Sequence, residues 1–492
     1  MSSVKLKTAN LAKLSDNIAV PTYDRTAISP GIVHISLGAF HRAHQCVYTD
    51  ELLAEQGEKA KNWALCSVGA LPNDETLCRR LNGQDNLYTV VTRDEGGMSA
   101  RVIGSIAKVM HAPADPGGVL TRMADKATKI VSLTVTERGY GHDPATGKLD
   151  VERSDVAADL MMPKRPKTAI GYVVEALARR REEGLPAFTV MSCDNLQKNG
   201  ELTRDLTIEF ANRRDPSLGN WIAKNGAFPN SMVDRITPGT TQTDIDHIKS
   251  HFGIDDAAPI VCEPFKQWVL EDNFCNGRPE WEAVGAQIVP DVYPYELTKL
   301  RLLNVVHSAF CYPGYLADYD FVHEAIMDTD IQRFVRRLMD EEITPTLPHA
   351  PGMDLPSYKN KLIERFANPE ICDGLPRICM DGSQKIGNQM LPIVRERLAD
   401  GGSIRMLCFS IAAFIRFCRG IDEKGKPIEI KDPLANELRR AAQAGGRDPR
   451  PFLNLTHVFG ADLAANETFV HGVEQALGNI EDQGIRSAVA AL

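Results

Sequence analysis

Between residues 31 and 195 the chain switches repeatedly between two hydrophobic patterns. GIVHISLG (31–38), WALCSVGA (63–70), KIVSLTVTE (129–137) and AFTVMSCDN (187–195) are short runs dense in branched apolar residues, the signature of strands buried on both faces of a parallel sheet. Amphipathic stretches separate them: HRAHQCVYTDELLAEQG, NDETLCRRLNG and AIGYVVEALARRREEG (169–184). LYTVVTRDEGGMSARVIGSI reads as a hairpin turning at Gly96-Gly97. Such strand–helix alternation predicts an α/β fold with a doubly wound, Rossmann-type sheet. After about residue 290 the apolar positions recur at three- and four-residue spacing, as in IQRFVRRLMDEEI and SIRMLCFSIAAFIRFCRG, and predict a mostly α-helical second domain. At 492 residues the chain is too long for one ordinary core. We therefore expect a dinucleotide-type domain over 1–290 and a helical substrate or catalytic domain over 291–492, with the binding site in the cleft between them.

Composition narrows the function class. A net charge of −9 disfavours nucleic acid and anionic membrane surfaces as partners. The 11 cysteines are scattered without a C-x-x-C pair, a pattern that suits a reducing cytosol better than a disulfide framework or a cysteine zinc site. MSSVKLKTANLAKLSDN has no apolar signal core, and the longest apolar run, 406–415, is about half the ~20 residues that span a bilayer. The expectation is a cytoplasmic protein acting on a small molecule, with no coiled coil and a mild preference for a monomer.

Two stretches carry candidate chemistry. After the first strand the turn reads Ile35-Ser36-Leu37-Gly38-Ala39-Phe40-His41-Arg42. Against a G-x-G-x-x-G fingerprint, Ser36 stands at the first glycine and His41 at the third, and only Gly38 remains. Asp74 follows the second strand and could bind ribose hydroxyls or cap a helix; it lies 36 positions past Gly38, against about 20 in the usual fingerprint. The second stretch, KLRLLNVVHSAF (299–310), places Lys299, Asn304 and His307 in an apolar helix. At about 100° per residue Asn304 falls about 140° from Lys299, with His307 between them. One reading is a snorkelling lysine, a backbone-bonded asparagine and a satisfied core histidine. The other is alcohol oxidation, in which a neutral lysine removes the hydroxyl proton. Lowering its pKa from about 10.4 to 7–8 costs about 4 kcal/mol, which burial can supply, and amide and imidazole donors would stabilise the alkoxide.

GAFHRAHQ (38–45), IVSLTVTERGY (130–140), AFTVMSCDN (187–195), FPNSMVDRITP (228–238), EPFKQWVLEDNF (263–274), the K-x4-N-x2-H helix and RICMDGSQK (377–385) together resemble the polyol-specific long-chain dehydrogenase (mannitol dehydrogenase) family over nearly the whole chain. The resemblance implies NAD as cofactor, no metal, and D-mannitol/D-fructose interconversion. It implies Lys299 as general base, Asn195 and Asn304 on the reacting oxygen and His307 orienting it. Asp234, Arg377 and Lys385 would contact the remaining hydroxyls, Glu137 would relay protons, and residues 35–42 with Asp74 would hold the dinucleotide, Asp74 repelling the extra phosphate of NADP.

Two positions depart from the family pattern: Ser36 for glycine, and Val305-Val306 where the family has Gly-Ser, a change that could narrow the pocket. Arabinitol, sorbitol and hexuronate (fructuronate) activities stay open, as does a catalytically silent NAD-binding protein. A zinc enzyme would need more than the pairs His41/His44 and His247/His251, which read as histidines on solvated helices.

Overall fold

The computed structural model describes residues 3–94, 96–143 and 146–492. The chain divides into two compact units, Met1–Tyr293 and Pro294–Leu492.

The first unit is built on β1 (Pro30–Ile35), β2 (Ala64–Gly69), β3 (Tyr88–Asp94), β4 (Gly97–Ile103), β5 (Ile106–His111), β6 (Ile130–Leu133), β7 (Thr189–Ser192), β8 (Ser231–Asp234), β9 (Ile260–Cys262) and β10 (Gln267–Glu271). Five of these form one sheet in the order β5-β2-β1-β6-β7, every neighbouring pair parallel. The chain leaves β1 towards β2 and returns on its other side as β6, which makes the β1/β6 boundary the switch point where such sheets bind ligands. β3 and β4 form the expected hairpin, with Asp94 opposite Gly97. Gly97 thus begins β4 rather than standing in the turn of the Gly96-Gly97 reading, and Glu95 lies outside the described residues. β5 was hidden by that reading, which ran the hairpin through to Ile106 although IAKVMH belongs to the main sheet.

KIVSLTVTE also proves shorter as a strand, because β6 ends at Leu133. Asp194, just past β7, accepts the backbone N–H groups of Val135 and Thr136 at 2.9 Å each and so diverts the chain out of the ladder.

Beyond β1 the helix breaks into α1 (Ala39–Ala43) and α2 (Gln45–Gln56) at His44. His41 and His44 are buried rather than solvated, 1% exposed each, which overturns the surface reading. The solvated reading holds for His247 and His251, which are exposed with ring centroids 5.9 Å apart. The His41 ring stacks on His34 of β1 at 3.5 Å between centroids, 3° from parallel. His34 binds Ser132 at 2.7 Å and Thr134 at 2.8 Å, and His41 binds Ser67 at 2.9 Å. A third fingerprint glycine would let helix and strand touch. Here two imidazoles space them apart and tie three adjacent strands to the helix.

The second unit is helical. It is built around α3 (Tyr293–Lys299), a π-turn (Leu300–Val305), α4 (Val306–Leu316), α5 (Leu375–Ile378), α6 (Gly382–Lys385), a π-turn (Ile386–Met390), α7 (Leu391–Ala399), α8 (Arg405–Cys418) and α9 (Glu467–Ala490). One apolar core runs through it, with α4 and α8 buried almost all round. A third π-turn, Leu338–Ile343, carries Glu342, whose buried carboxylate accepts from the Met406 and Leu407 N–H groups at 2.9 Å each and starts α8. Among the described residues no helix is long and apolar enough to cross a membrane.

Burial lowers His34 and His44 to about 3, and His41 well below the ordinary value of about 6.5. The folded rings stay neutral where the unfolded chain is protonated, so unfolding takes up protons. Their contribution to stability is complete above pH 6.5 and is lost as pH falls towards the lowered values. Replacing His41 with glutamine should cut the slope of unfolding free energy against pH, between about pH 6 and 4, by one proton, or about 1.4 kcal/mol per pH unit. Urea melts across that range measure it.

Candidate active site

The first unit collects its candidates at the carboxyl ends of β1, β2, β6, β7 and β8. Ser36 has φ +107, a conformation that favours glycine, while its N–H donates to Val68 C=O at 2.9 Å. Gly38, by contrast, has an ordinary φ of −65 and is exposed. A Cβ there would meet only Ser36 Oγ, at 3.6 Å, so glycine keeps open the ground above the turn. The conformational need for glycine thus falls on Ser36, while the backbone of Gly38 is one that any residue can adopt. Ile35, Leu37, His41 and Arg42 are buried. Arg42 is spent inward, its Nη1 donating to Ala258 C=O at 2.7 Å, so these four offer a ligand backbone rather than side chains. Ser36, Gly38, Ala39 and Phe40 form the accessible part of the turn.

Asp74 Oδ2 accepts the Leu71 N–H at 2.9 Å and closes the turn after β2. Gly69 makes that turn possible, since a Cβ there would lie 2.9 Å from Asp74 Cβ and 2.6 Å from Cys78 Sγ. The carboxylate therefore does part of the local capping work and keeps Oδ1 for a ligand. An open turn with an acidic side chain beyond the neighbouring strand fits the pyrophosphate and ribose of a dinucleotide.

Asn195 is exposed three residues past β7, and Glu137 is exposed in a helical turn after β6 rather than on the strand itself. The residue that sets both is Asp194, which sequence reasoning passed over. Besides Val135 and Thr136 it accepts from Tyr140 Oη at 2.7 Å, and burial raises its carboxyl above the ordinary range despite those donors. Asn199 extends the brace, donating to Asp194 C=O at 2.9 Å and Ser231 C=O at 2.8 Å. It thereby holds β8, at whose end Asp234 sits 5% exposed. The D-N pair after an apolar run was the available signal, but the donors to the Asp194 carboxylate at Val135, Thr136 and Tyr140 are 54 to 59 residues away.

In the second unit Lys299 ends α3 at 7% exposure, Asn304 lies in the π-turn and His307 follows in α4. The expected 140° divergence assumed an unbroken α-helix. A turn bonded i→i+5 winds more slowly than an α-helix and so narrows the angle between residues five apart, which is the Lys299–Asn304 spacing. Arg301 pins this turn, its guanidinium bidentate to Glu396 of α7 at 2.6 Å on both sides and its Nη1 donating to Thr346 C=O at 2.8 Å. His307 is flanked by Phe366 and Phe310, centroids 4.9 and 5.7 Å away. Its Nε2 is buried without a hydrogen-bond partner among the described residues, an atom ready for a ligand oxygen. Burial lowers His307 to about 4; Asp373 opposes the shift, and Arg377, Lys385 and Arg365 add to it. The charges of those four residues are thus felt at the imidazole. Lys385 Nζ donates to Ile378 C=O at 2.9 Å, stapling its helix to the one that carries Arg377. Gly382 permits this packing, because a Cβ would lie 2.6 Å from Phe414. The second π-turn begins right after Lys385 and packs on the first. Among the described residues no group of three or more His, Cys, Asp or Glu could hold a metal ion.

Residues 30–283 match the mannitol dehydrogenase Rossmann domain and residues 291–481 the mannitol dehydrogenase C-terminal domain. The chain belongs to the mannitol dehydrogenase family. It is similar to mannitol 2-dehydrogenase of Aspergillus fumigatus, 45% identical over 99% of this chain and 98% of that protein. Among solved structures, a ternary complex of Pseudomonas fluorescens mannitol 2-dehydrogenase with NAD and D-mannitol superposes with a TM-score of 0.89 at 39% identity, covering 99% of each chain. A substrate-free D-sorbitol dehydrogenase superposes with a TM-score of 0.92 at 37% identity, covering 99% of this chain and 100% of that one.

Of the two departures from the family pattern, Val305 and Val306 are 1% and 0% exposed and face the core of the helical unit, not a pocket. Ser36 is the consequential one. Ser36→Gly should remove the positive-φ strain, worth about 1–3 kcal/mol, at an entropic cost of about 0.5–1 kcal/mol. A net stabilisation of about 1 kcal/mol in denaturant melts is expected.

Proposed function

We propose that the protein is an NAD-dependent, metal-independent polyol dehydrogenase that interconverts D-mannitol and D-fructose, with Lys299 as the general base. The observation that carries the reading is the lysine buried at 7% exposure at the head of a π-turn that also carries Asn304. A neutral amine is the form of a lysine that can accept a proton. Lys299 takes the hydroxyl proton of the carbinol. NAD, when bound, supplies the acceptor for the hydrogen that leaves the carbon with its electron pair. Asn195 and Asn304 donate to the reacting oxygen as it gains charge, which a pre-oriented amide does without reorganising. His307, neutral at pH 7, orients that oxygen through Nε2. Asp234, Arg377 and Lys385 grip the other hydroxyls, and Glu137, exposed to water, passes on the proton from Lys299. Ser36, Gly38 and Ala39 receive the pyrophosphate, while Asp74 binds the ribose and repels a 2′-phosphate. The similarity to D-sorbitol dehydrogenase makes sorbitol the second substrate to test.

Lys299→Ala should reduce polyol oxidation by about 10²–10⁴-fold and abolish its rise with pH, with NAD affinity retained by fluorescence titration. Unchanged turnover would assign the base elsewhere. A panel of mannitol, sorbitol, arabinitol and fructuronate with NAD(H) and NADP(H), run with and without chelator, should place mannitol/fructose with NAD(H) first and show no loss on chelation.

A further inference from the structure

Arg377 is an exposed arginine that is nevertheless fixed. Its side chain is 63% exposed, whereas that of Asp373, one helical turn earlier, is 9% exposed. Asp373 Oδ1 accepts Nε at 2.8 Å and Oδ2 accepts Nη2 at 2.5 Å, a bidentate grip on one edge of the guanidinium. The carboxylate is itself anchored through its backbone: Asp373 C=O accepts the Val322 N–H at 2.9 Å, and the next residue, Gly374, bridges Phe321. Asp373 also acts electrostatically on His307, opposing the fall in its pKa that burial causes.

The consequence is chemical selectivity. Three guanidinium N–H groups remain for a ligand, enough to bind hydroxyl oxygens as a donor. The positive charge, however, is already matched by a carboxylate held in contact. A sugar acid reaching the open edge of Arg377 would bring a second carboxylate up to the first, buried one across a single guanidinium, a like-charge arrangement. A neutral polyol or ketose meets no such opposition. We propose that Asp373 is a specificity-determining positioning residue, which holds Arg377 edge-on and neutralised so that the site selects uncharged polyols and ketoses over hexonates and hexuronates of the same carbon skeleton. This rests on the reading of Arg377 as a contact to the distal hydroxyls.

The test compares the full-length wild type with Asp373→Asn, which keeps the shape and removes the charge. Reduction of D-fructuronate and D-fructose by NADH is measured, together with inhibition of mannitol oxidation by D-mannonate. The ratio of kcat/KM for fructuronate over fructose should rise about tenfold, through KM rather than kcat, and mannonate should inhibit correspondingly more tightly. A merely structural role would weaken both substrates together. A change in the ratio below threefold in a folded variant overturns the proposal; should the asparagine variant not fold, Asp373→Ser carries the same test. Arg377→Ala separates the two levels. If it leaves the KM for fructose and mannitol unchanged, the underlying assignment of Arg377 falls. If it raises those KM values while Asp373→Asn leaves the ratio unmoved, only the role of Asp373 falls.

Discussion

Lys299 and Asn304 are five residues apart, a spacing that an α-helix splays and an i→i+5 turn narrows. The chemistry proposed for the helical unit draws on that change of geometry. A π-turn is less favourable than α-helix, so it needs an external hold, and Arg301 provides it by clamping the turn to Glu396 and to the Thr346 carbonyl. Arg301 is 5% exposed, which makes its pairing obligatory rather than decorative. The second π-turn, after Lys385, packs on the first, and the third carries the carboxylate that starts the long buried helix at Arg405. Two of the three π-turns thus lie beside charged side chains of the candidate site, following Lys299 and Lys385.

The Rossmann-type unit solves a similar problem with buried polar side chains. Asp194 stops β6 from continuing, and with Asn199 it ties three strand ends together, so Glu137, Asn195 and Asp234 emerge along one edge of the unit. Beneath the glycine turn, His34 and His41 replace the close helix–strand contact of a three-glycine fingerprint. Both rings must stay neutral, since stacked imidazolium ions 3.5 Å apart in a dry layer would repel each other. The turn above is correspondingly unusual, with serine in the left-handed conformation and glycine in an extended one.

Strand–helix alternation was legible because parallel strands buried on both faces read as branched apolar runs whatever their neighbours. The helical second half was legible for the same reason at period 3.6. Residue types were equally plain: a lysine, an asparagine and a histidine inside KLRLLNVVHSAF are costly unless used, and the match to family motifs carried their roles. The strand IAKVMH was missed because a hairpin and the sheet strand after it share one alternating pattern. The end of β6 was missed because its cause, Asp194, lies some 60 positions away.

What the amino-acid order determined alone was local: which segments favour strand or helix, where glycine is scarce in the turn, and which polar groups sit among apolar neighbours. Tertiary structure decided the rest. It set the buried state of His41 and His44, the inward path of Arg42 and of Val305-Val306, the π-turn between Lys299 and Val306, and the pairing of Asp373 with Arg377. Each of these turns on a partner brought near only by folding, and burial then multiplies the energetic weight of that partner, because a polar group removed from water must find its match in the protein.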